Sequence, residues 1–311
     1  MTNALFLTDT VAARRRADIE AVAPGIELIE LVGDELPSDD DLARITHAFF
    51  SADAWPERSG VFLKVCLTAP NLRWLHAFSA GSDHPVFTRF AERGITVGFT
   101  PGGSAPAIAQ TVMLMTLALV RGMPELHDAQ QRRAWEPAWT RDLGDLTVGI
   151  LGMGSIGAET ARLLAPTGAR VIGVRRTPTG DEPCETWGED RRDELLAIAD
   201  VVVSSMPLTD ATRHSIAARE FALMQPGTIF INVGRGECVV EDDLIAALAS
   251  GHLAGAGLDV FAVEPLPEDS PLWSMPRVIV WPHASGLTDR SARRAEDACI
   301  AHLERTIQTQ R

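Results

Sequence analysis

One stretch constrains the fold of this chain more than any other: Thr147-Val148-Gly149-Ile150-Leu151-Gly152-Met153-Gly154-Ser155-Ile156-Gly157, running on into Ala158-Glu159-Thr160-Ala161-Arg162-Leu163-Leu164. Its first half is a short apolar run, as a strand covered on both faces of a parallel sheet requires, and its second half carries apolar residues at helical spacing. Between them lies G-x-G-x-x-G. In a strand–turn–helix setting each glycine has a task. Gly152 makes the tight turn, Gly154 lets a pyrophosphate approach the backbone, and Gly157 lets helix pack on strand. The helix N-terminus then offers free N–H groups and a partial positive charge to the phosphates. Gly152, Met153, Gly154, Ser155, Ile156 and Gly157 are therefore candidate dinucleotide-binding residues. A plain glycine turn is the alternative, and the strand–helix context disfavours it.

The rest of the chain repeats this alternation. Ahead of the loop, strands are expected at Ala4 to Leu7, Ile26 to Val32, His47 to Phe50, Trp74 to Phe78 and Ile95 to Phe99, with helices near Val11 to Val22, Ser59 to Leu67 and Val86 to Arg93. That is the pattern of an open parallel α/β sheet. Thr100-Pro101-Gly102-Gly103-Ser104 interrupts it, and Ser104 is a candidate N-cap for a long helix from Pro106 through Arg121, extending toward Trp135. This helix is apolar nearly all round between Ile108 and Val120, which implies burial on several sides, against another domain or another subunit. A second series predicts strands at Val148 to Leu151, Arg170 to Val174, Val201 to Ser204, Thr228 to Asn232, Gly257 to Val260 and Val278 to Val280. A helix over Val240 to Ala249 should close at Gly251, and an amphipathic helix should span Asp289 to Gln308.

Composition narrows the function classes. A net charge of -14 over 311 residues disfavours a sequence-independent grip on nucleic acid or an anionic membrane. The longest apolar block, Thr111 to Val120, is too short to span a bilayer, and Met1 to Thr10, with no basic start before an apolar core, reads as holding a first strand, Ala4 to Leu7, rather than a signal peptide. Cys66, Cys184, Cys238 and Cys299 are scattered without metal or disulfide spacing, so a reduced, cytoplasmic setting is expected. No metal is expected either: His47, His76, His84, His127, His214, His252 and His302 lack ligand spacing and read as structural or solvated.

Where NAD sites place an acid after the second strand, this chain has Arg175-Arg176-Thr177. Two guanidinium groups and a hydroxyl suit a 2′-phosphate, so NADP(H) is preferred and NAD(H) remains possible. Solvated surface charge is the bland alternative for both arginines. Three further polar residues follow late strands: Arg235 in Asn232-Val233-Gly234-Arg235-Gly236, Glu264 in Asp259-Val260-Phe261-Ala262-Val263-Glu264-Pro265, and His283 in Trp281-Pro282-His283-Ala284-Ser285-Gly286. Ligands bind at such strand ends in open α/β folds.

With these motifs the chain resembles the D-isomer-specific 2-hydroxyacid dehydrogenases over nearly its whole length. The resemblance implies two Rossmann-like, doubly wound parallel-sheet domains with a cleft between them. One is a flavodoxin-like substrate domain built from both chain ends, residues 1–100 and 286–311; the other is the dinucleotide domain, residues 101–285. It implies that Arg235 binds the carboxylate and carbonyl of a 2-keto acid, that His283 is the general acid/base, and that Glu264 supports His283. These assignments agree with the permanent charge of Arg and the near-neutral pKa of His. It further implies that Asp259 holds the nicotinamide carboxamide and that the backbone of Ala80 and Gly81, in Ser79-Ala80-Gly81-Ser82-Asp83, receives the substrate carboxylate. A simple turn is the other reading of that glycine. A homodimer through the long helix is the family expectation. Ser104 to Gln110 departs from the family pattern, which often has an Asn early and a Glu where this chain has Gln110.

Val239-Val240-Glu241-Asp242-Asp243-Leu244 and Glu264-Pro265-Leu266-Pro267-Glu268-Asp269-Ser270-Pro271-Leu272-Trp273 look most like the glyoxylate/hydroxypyruvate reductase branch, whose NADPH preference agrees with Arg175 and Arg176. The expected activity is reduction of a small 2-keto acid to the D-2-hydroxy acid. A dinucleotide-sensing binding protein of the same fold is the alternative. Trp135 and Trp139 read either as walls of the active site, from the same or a neighbouring subunit, or as ordinary aromatic packing.

Overall fold

The computed structural model describes residues 3–81 and 85–309; Met1, Thr2, Ser82, Asp83 and His84 lie outside the described residues, as do the last two. The chain divides into two compact units, Met1–Ser104 with Leu287–Arg311, and Ala105–Gly286.

The first unit runs β1 (Ala4–Thr8), α1 (Asp9–Val22), β2 (Glu27–Leu31), α2 (Asp39–Arg44), β3 (Ile45–Phe50), α3 (Ser59–Thr68), β4 (Trp74–Ala77), α4 (Pro85–Glu92) and β5 (Thr96–Gly98). Its five strands pair in parallel in the order β2-β1-β3-β4-β5, the flavodoxin-like winding. Every residue of β1 is buried, and alternation sends Ala4 and Phe6 into one core layer and Leu5 and Leu7 into the other. The Thr8 hydroxyl accepts from the Val11 amide and starts α1 directly off the strand. The helix that closes the chain, Asp289–Thr309, lies against α1: Ala295, Cys299 and Leu303 join Leu7, Val11 and Ala12, while Glu296, 2% exposed, pairs with Arg14 and Arg15. Helix α2 has no counterpart in the sequence reading, since its acidic Asp39-Asp40-Asp41 start carries no apolar stripe and the element buries no residue.

The second unit opens with α5 (Ala105–Val120) and α6 (Met123–Gln131). The long helix expected toward Trp135 is therefore interrupted. Gly122 takes a left-handed φ of 63°, Pro124 sits in the first turn of α6, and the two axes differ by 65°. Then follow β6 (Thr147–Leu151), α7 (Ser155–Leu164), β7 (Arg170–Val174), β8 (Glu185–Trp187), α8 (Arg192–Ile198), β9 (Val201–Ser204), α9 (Ala218–Leu223), β10 (Thr228–Asn232), α10 (Glu241–Ala249), β11 (Leu253–Leu258) and β12 (Val278–Val280); the closing helix becomes α11. All seven strands are parallel, in the order β12-β11-β10-β9-β6-β7-β8. With β6 as first strand this is the Rossmann order with one more strand at the far edge. Strand β11 begins earlier than expected because Ala254-Gly255-Ala256-Gly257 has little β-propensity. Its small residues make room: a Cβ on Gly257 would lie 2.8 Å from the Met115 sulfur of α5.

No single helix among the described residues is long and apolar enough to cross a membrane.

Candidate active site

The glycine loop has the geometry its three tasks require. Gly152 leaves β6 at φ 95°, and its N–H bonds to the Val174 carbonyl at 2.9 Å. A Cβ on Gly157 would lie 2.1 Å from the Gly152 carbonyl oxygen, so α7 can pack this close to β6 only with glycine there. At Gly154 a Cβ would meet nothing within 4 Å, leaving open space in front of a helix start that carries no side-chain cap. These features fit a dinucleotide pyrophosphate: a backbone cradle, uncapped N–H groups and the positive end of α7. Met153 differs from its neighbours. It is 5% exposed, with its side chain packed over Gly173, which leaves only its backbone for a ligand.

At the end of β7, Arg175 donates its amide to the Trp187 carbonyl and its guanidinium to Glu182 at 2.9 Å. Arg176 and Thr177 are exposed, and Arg176 has no side-chain partner among the described residues. Glu182 had no role in the sequence reading; lying seven positions beyond Arg175, it offers no motif to recognise.

The carboxyl ends of β10, β11 and β12 bring Arg235, Glu264 and His283 together. Asn232 shapes the first loop: its side-chain carbonyl accepts from the Gly234 amide and its NH2 donates to the Arg235 carbonyl, both at 3.1 Å. Gly236 lets this loop touch the next one, because a Cβ there would lie 1.9 Å from the Phe261 carbonyl group. In that next loop one Glu264 oxygen accepts from the Phe261 amide at 3.0 Å, and Glu241 reaches across to accept from the Ala262 amide at 3.1 Å. The other Glu264 oxygen lies 2.7 Å from His283 Nδ1. That bond raises the His283 pKa above its ordinary 6.5 against the opposing effect of burial, with the Glu264 and Asp259 charges adding to it. Burial works to raise the Glu264 pKa, but the bond and charge of His283 outweigh it, so the carboxyl titrates below its usual range. Arg235 is close enough for its charge to act on both groups.

His283 holds a left-handed backbone, φ 50°, that an L-residue adopts only when its surroundings impose it. Asp259 imposes it. The Asp259 carbonyl accepts from the His283 amide at 2.9 Å, one carboxylate oxygen accepts from the Ala284 and Ser285 amides at 2.9 and 3.0 Å, and the other bonds the Ser285 hydroxyl. Asp259 is 3% exposed, and burial raises its pKa. Three bonds to the His283 loop thus engage the carboxylate that the family resemblance assigns to the nicotinamide carboxamide. Ser285, two positions beyond His283, went unassigned there.

A model of the family described as D-isomer specific 2-hydroxyacid dehydrogenase, NAD binding domain, matches residues 113–285. The chain belongs to the D-isomer-specific 2-hydroxyacid dehydrogenases. Homo sapiens glyoxylate reductase/hydroxypyruvate reductase is 36% identical over 228 residues, 71% of this chain and 70% of that one. The D-isomer specific 2-hydroxyacid dehydrogenase of Xanthobacter autotrophicus Py2, solved with NADPH and MES, is 32% identical with a TM-score of 0.77, covering 98% of this chain and 96% of that one. The NADPH-dependent glyoxylate/hydroxypyruvate reductase of Sinorhizobium meliloti, solved with NADP and sulfate, is 30% identical with a TM-score of 0.76, covering 99% and 94%. This dehydrogenase is accordingly an NAD(P)-dependent oxidoreductase. Its first unit carries Ala80 and Gly81 just beyond β4, where the Ser79 hydroxyl donates to the Gly81 carbonyl at 3.2 Å. Among the described residues no group of three His, Cys, Asp or Glu side chains could hold a metal ion.

Proposed function

We propose that this dehydrogenase reduces a small 2-keto acid, glyoxylate or hydroxypyruvate, to the D-2-hydroxy acid with a preference for NADPH. The observation that carries the reading is the 2.7 Å contact between His283 Nδ1 and Glu264, beside the charge of Arg235. Arg235 holds the substrate carboxylate and polarises the ketone. A dinucleotide held by the glycine loop would supply the hydride for the carbonyl carbon. His283, held by Glu264 through Nδ1, gives the Nε2 proton to the carbonyl oxygen as the alkoxide develops, so carbonyl, hydride and proton balance to the secondary alcohol. Asp259 steadies the loop that carries His283, and the nicotinamide carboxamide would be held by the same residue beside its bonds to Ala284 and Ser285. Arg175, Arg176 and Thr177 receive the 2′-phosphate. The names of the human and Sinorhizobium relatives support the substrate class, and the ligands of the two bacterial structures support the cofactor.

We place the enzyme in the cytoplasm as a homodimer through α5 and α6. The supporting observation is that Leu114, Met123 and Leu126 are 53%, 52% and 43% exposed along these helices, with Trp135 and Trp139 at 95% and 104% just beyond. A monomer by size measurement at micromolar concentration would refute the dimer.

The reaction is tested by initial rates of NADPH and NADH oxidation with glyoxylate, hydroxypyruvate, pyruvate and a bulkier keto acid, repeated with His283→Ala. Turnover that favours NADPH and the two small substrates, and falls at least ~10²-fold in the variant, is the expected result. Nucleotide binding without turnover on any keto acid would favour the sensing reading instead.

A further inference from the structure

Between β7 and β8 the chain folds back on itself over residues 175–184, and a single carboxylate organises that return. Glu182 is acidic and close to a surface loop, yet its side chain is only 6% exposed. One oxygen accepts from the Thr179 amide at 2.8 Å, the Thr179 hydroxyl at 2.9 Å and Arg175 Nη1 at 2.9 Å; the other accepts from the Gly180 amide at 2.8 Å. The Thr179 and Gly180 amides, with the Thr179 hydroxyl, hold its carboxyl down at about 2, so it is ionised at any working pH.

This arrangement bears on the choice of cofactor. An acid at the end of the second Rossmann strand accepts the ribose hydroxyls of NAD, and Glu182 brings a carboxylate into that neighbourhood from seven residues downstream. With its side chain only 6% exposed, it offers little surface to a ribose. Arg175, by contrast, donates through one nitrogen of its fork and keeps its remaining donors, with 35% of the side chain exposed. A long arginine fixed by one bond loses less freedom on meeting an anion than one that moves freely.

We propose that Glu182 is a positioning residue for cofactor selectivity: by pinning Arg175 and the turn at 179–180, it preforms the receptor that Arg175, Arg176 and Thr177 present to a 2′-phosphate. The proposal rests on the NADPH preference given above. Glu182 touches no part of the ligand and acts through Arg175. Its effect therefore falls on the 2′-phosphate alone and leaves the adenosine and pyrophosphate contacts unchanged.

The test measures dissociation constants of adenosine 2′,5′-bisphosphate and AMP by calorimetry on the full chain, for the wild type, E182Q, R175A and the double variant, each checked by thermal melting. The expected result is a wild type that favours the bisphosphate and an E182Q that loses about tenfold of that preference with AMP affinity unchanged, the scale of losing a partner that orients a binding side chain. In the double variant the loss should match that of R175A alone, since one residue works through the other. Thr179→Val, which removes the hydroxyl that Glu182 and Asp181 share and leaves the Glu182 charge in place, should lose a smaller part of the same preference; it serves if E182Q fails to fold. Equal weakening of both nucleotides, an unchanged preference, tighter bisphosphate binding in E182Q, or additive losses in the double variant would each overturn the proposal. A wild type that binds both nucleotides equally overturns the NADPH reading itself, a failure visible without any variant.

Discussion

At the scale of the residue, His283 is where sequence, strain and charge meet. Its pKa is raised above 6.5, chiefly by the bond to Glu264, so more of it is protonated at neutral pH than an ordinary histidine. In the proposed mechanism reduction uses the protonated form. The rate should be full at low pH and fall as pH rises through that raised value, while oxidation of the D-2-hydroxy acid should rise over the same range. Glu264→Gln removes the charge that favours the imidazolium, and the falling limb of kcat/KM for reduction should move to lower pH; a limb that stays in place would separate Glu264 from His283. Gly236 gives a steric prediction. With the Phe261 backbone only 1.9 Å from where a Cβ would stand, Gly236→Ala must push apart the loops that carry Arg235 and Glu264. Keto-acid reduction should fall about 10²-fold, the usual result of a shift of about 1 Å in a catalytic group.

At the scale of the element, α7 separates packing from binding within one motif. Gly157→Ala drives a methyl into the Gly152 carbonyl, 2.1 Å away, where only backbone movement relieves it. A loss of about 1–3 kcal/mol is expected, seen as a lower melting temperature. Gly154→Ala meets nothing in the protein within 4 Å, so its melting temperature should match the wild type while NADPH binding, by fluorescence titration, weakens. Equal effects of the two substitutions on stability would contradict this division of labour. The same scale accounts for the break between α5 and α6. Apolar periodicity runs on past Val120, but Gly122 and Pro124 decide the backbone, and two helices at 65° result.

For the whole molecule, the first unit hides an acid-sensitive core. His47 and His76 are 0% and 1% exposed, and His76 contacts Thr100 Oγ1 at 3.0 Å and His302 Nδ1 at 3.3 Å beneath α11. Burial, with Arg73 near one and His302 and Arg305 near the other, lowers both imidazoles to about 4. The unfolded chain takes up these protons near 6.5 and the folded chain does not, so stability is complete above 6.5 and declines as pH falls toward 4. The two groups together make a loss on the order of a few kcal/mol. Thermal melts from neutral pH down to pH 4 should show it, and a flat melting temperature across that range would contradict the burial of these histidines as a source of acid lability.

Most strands, the glycine loop and the Arg235, Glu264 and His283 segments were legible in the chain because each is a local signal: an apolar run, a turn chemistry, a polar residue just past a strand. Alternation of strand and helix likewise determined the parallel α/β class. Elements without such a signal stayed hidden. Helix α2 is acidic throughout its first turn, and the glycine-rich start of β11 acquires its strand only by pairing with β10 under α5. What the tertiary structure alone decided are the contacts between loops distant in sequence. Glu182 closes on Arg175, Gly236 admits Phe261, and Asp259 binds Ala284 and Ser285 and holds His283 in a left-handed conformation. Sequence periodicity reports which face of an element is buried; it carries no information on which two loop ends meet, because that depends on strand order and on the close approach that single glycines allow.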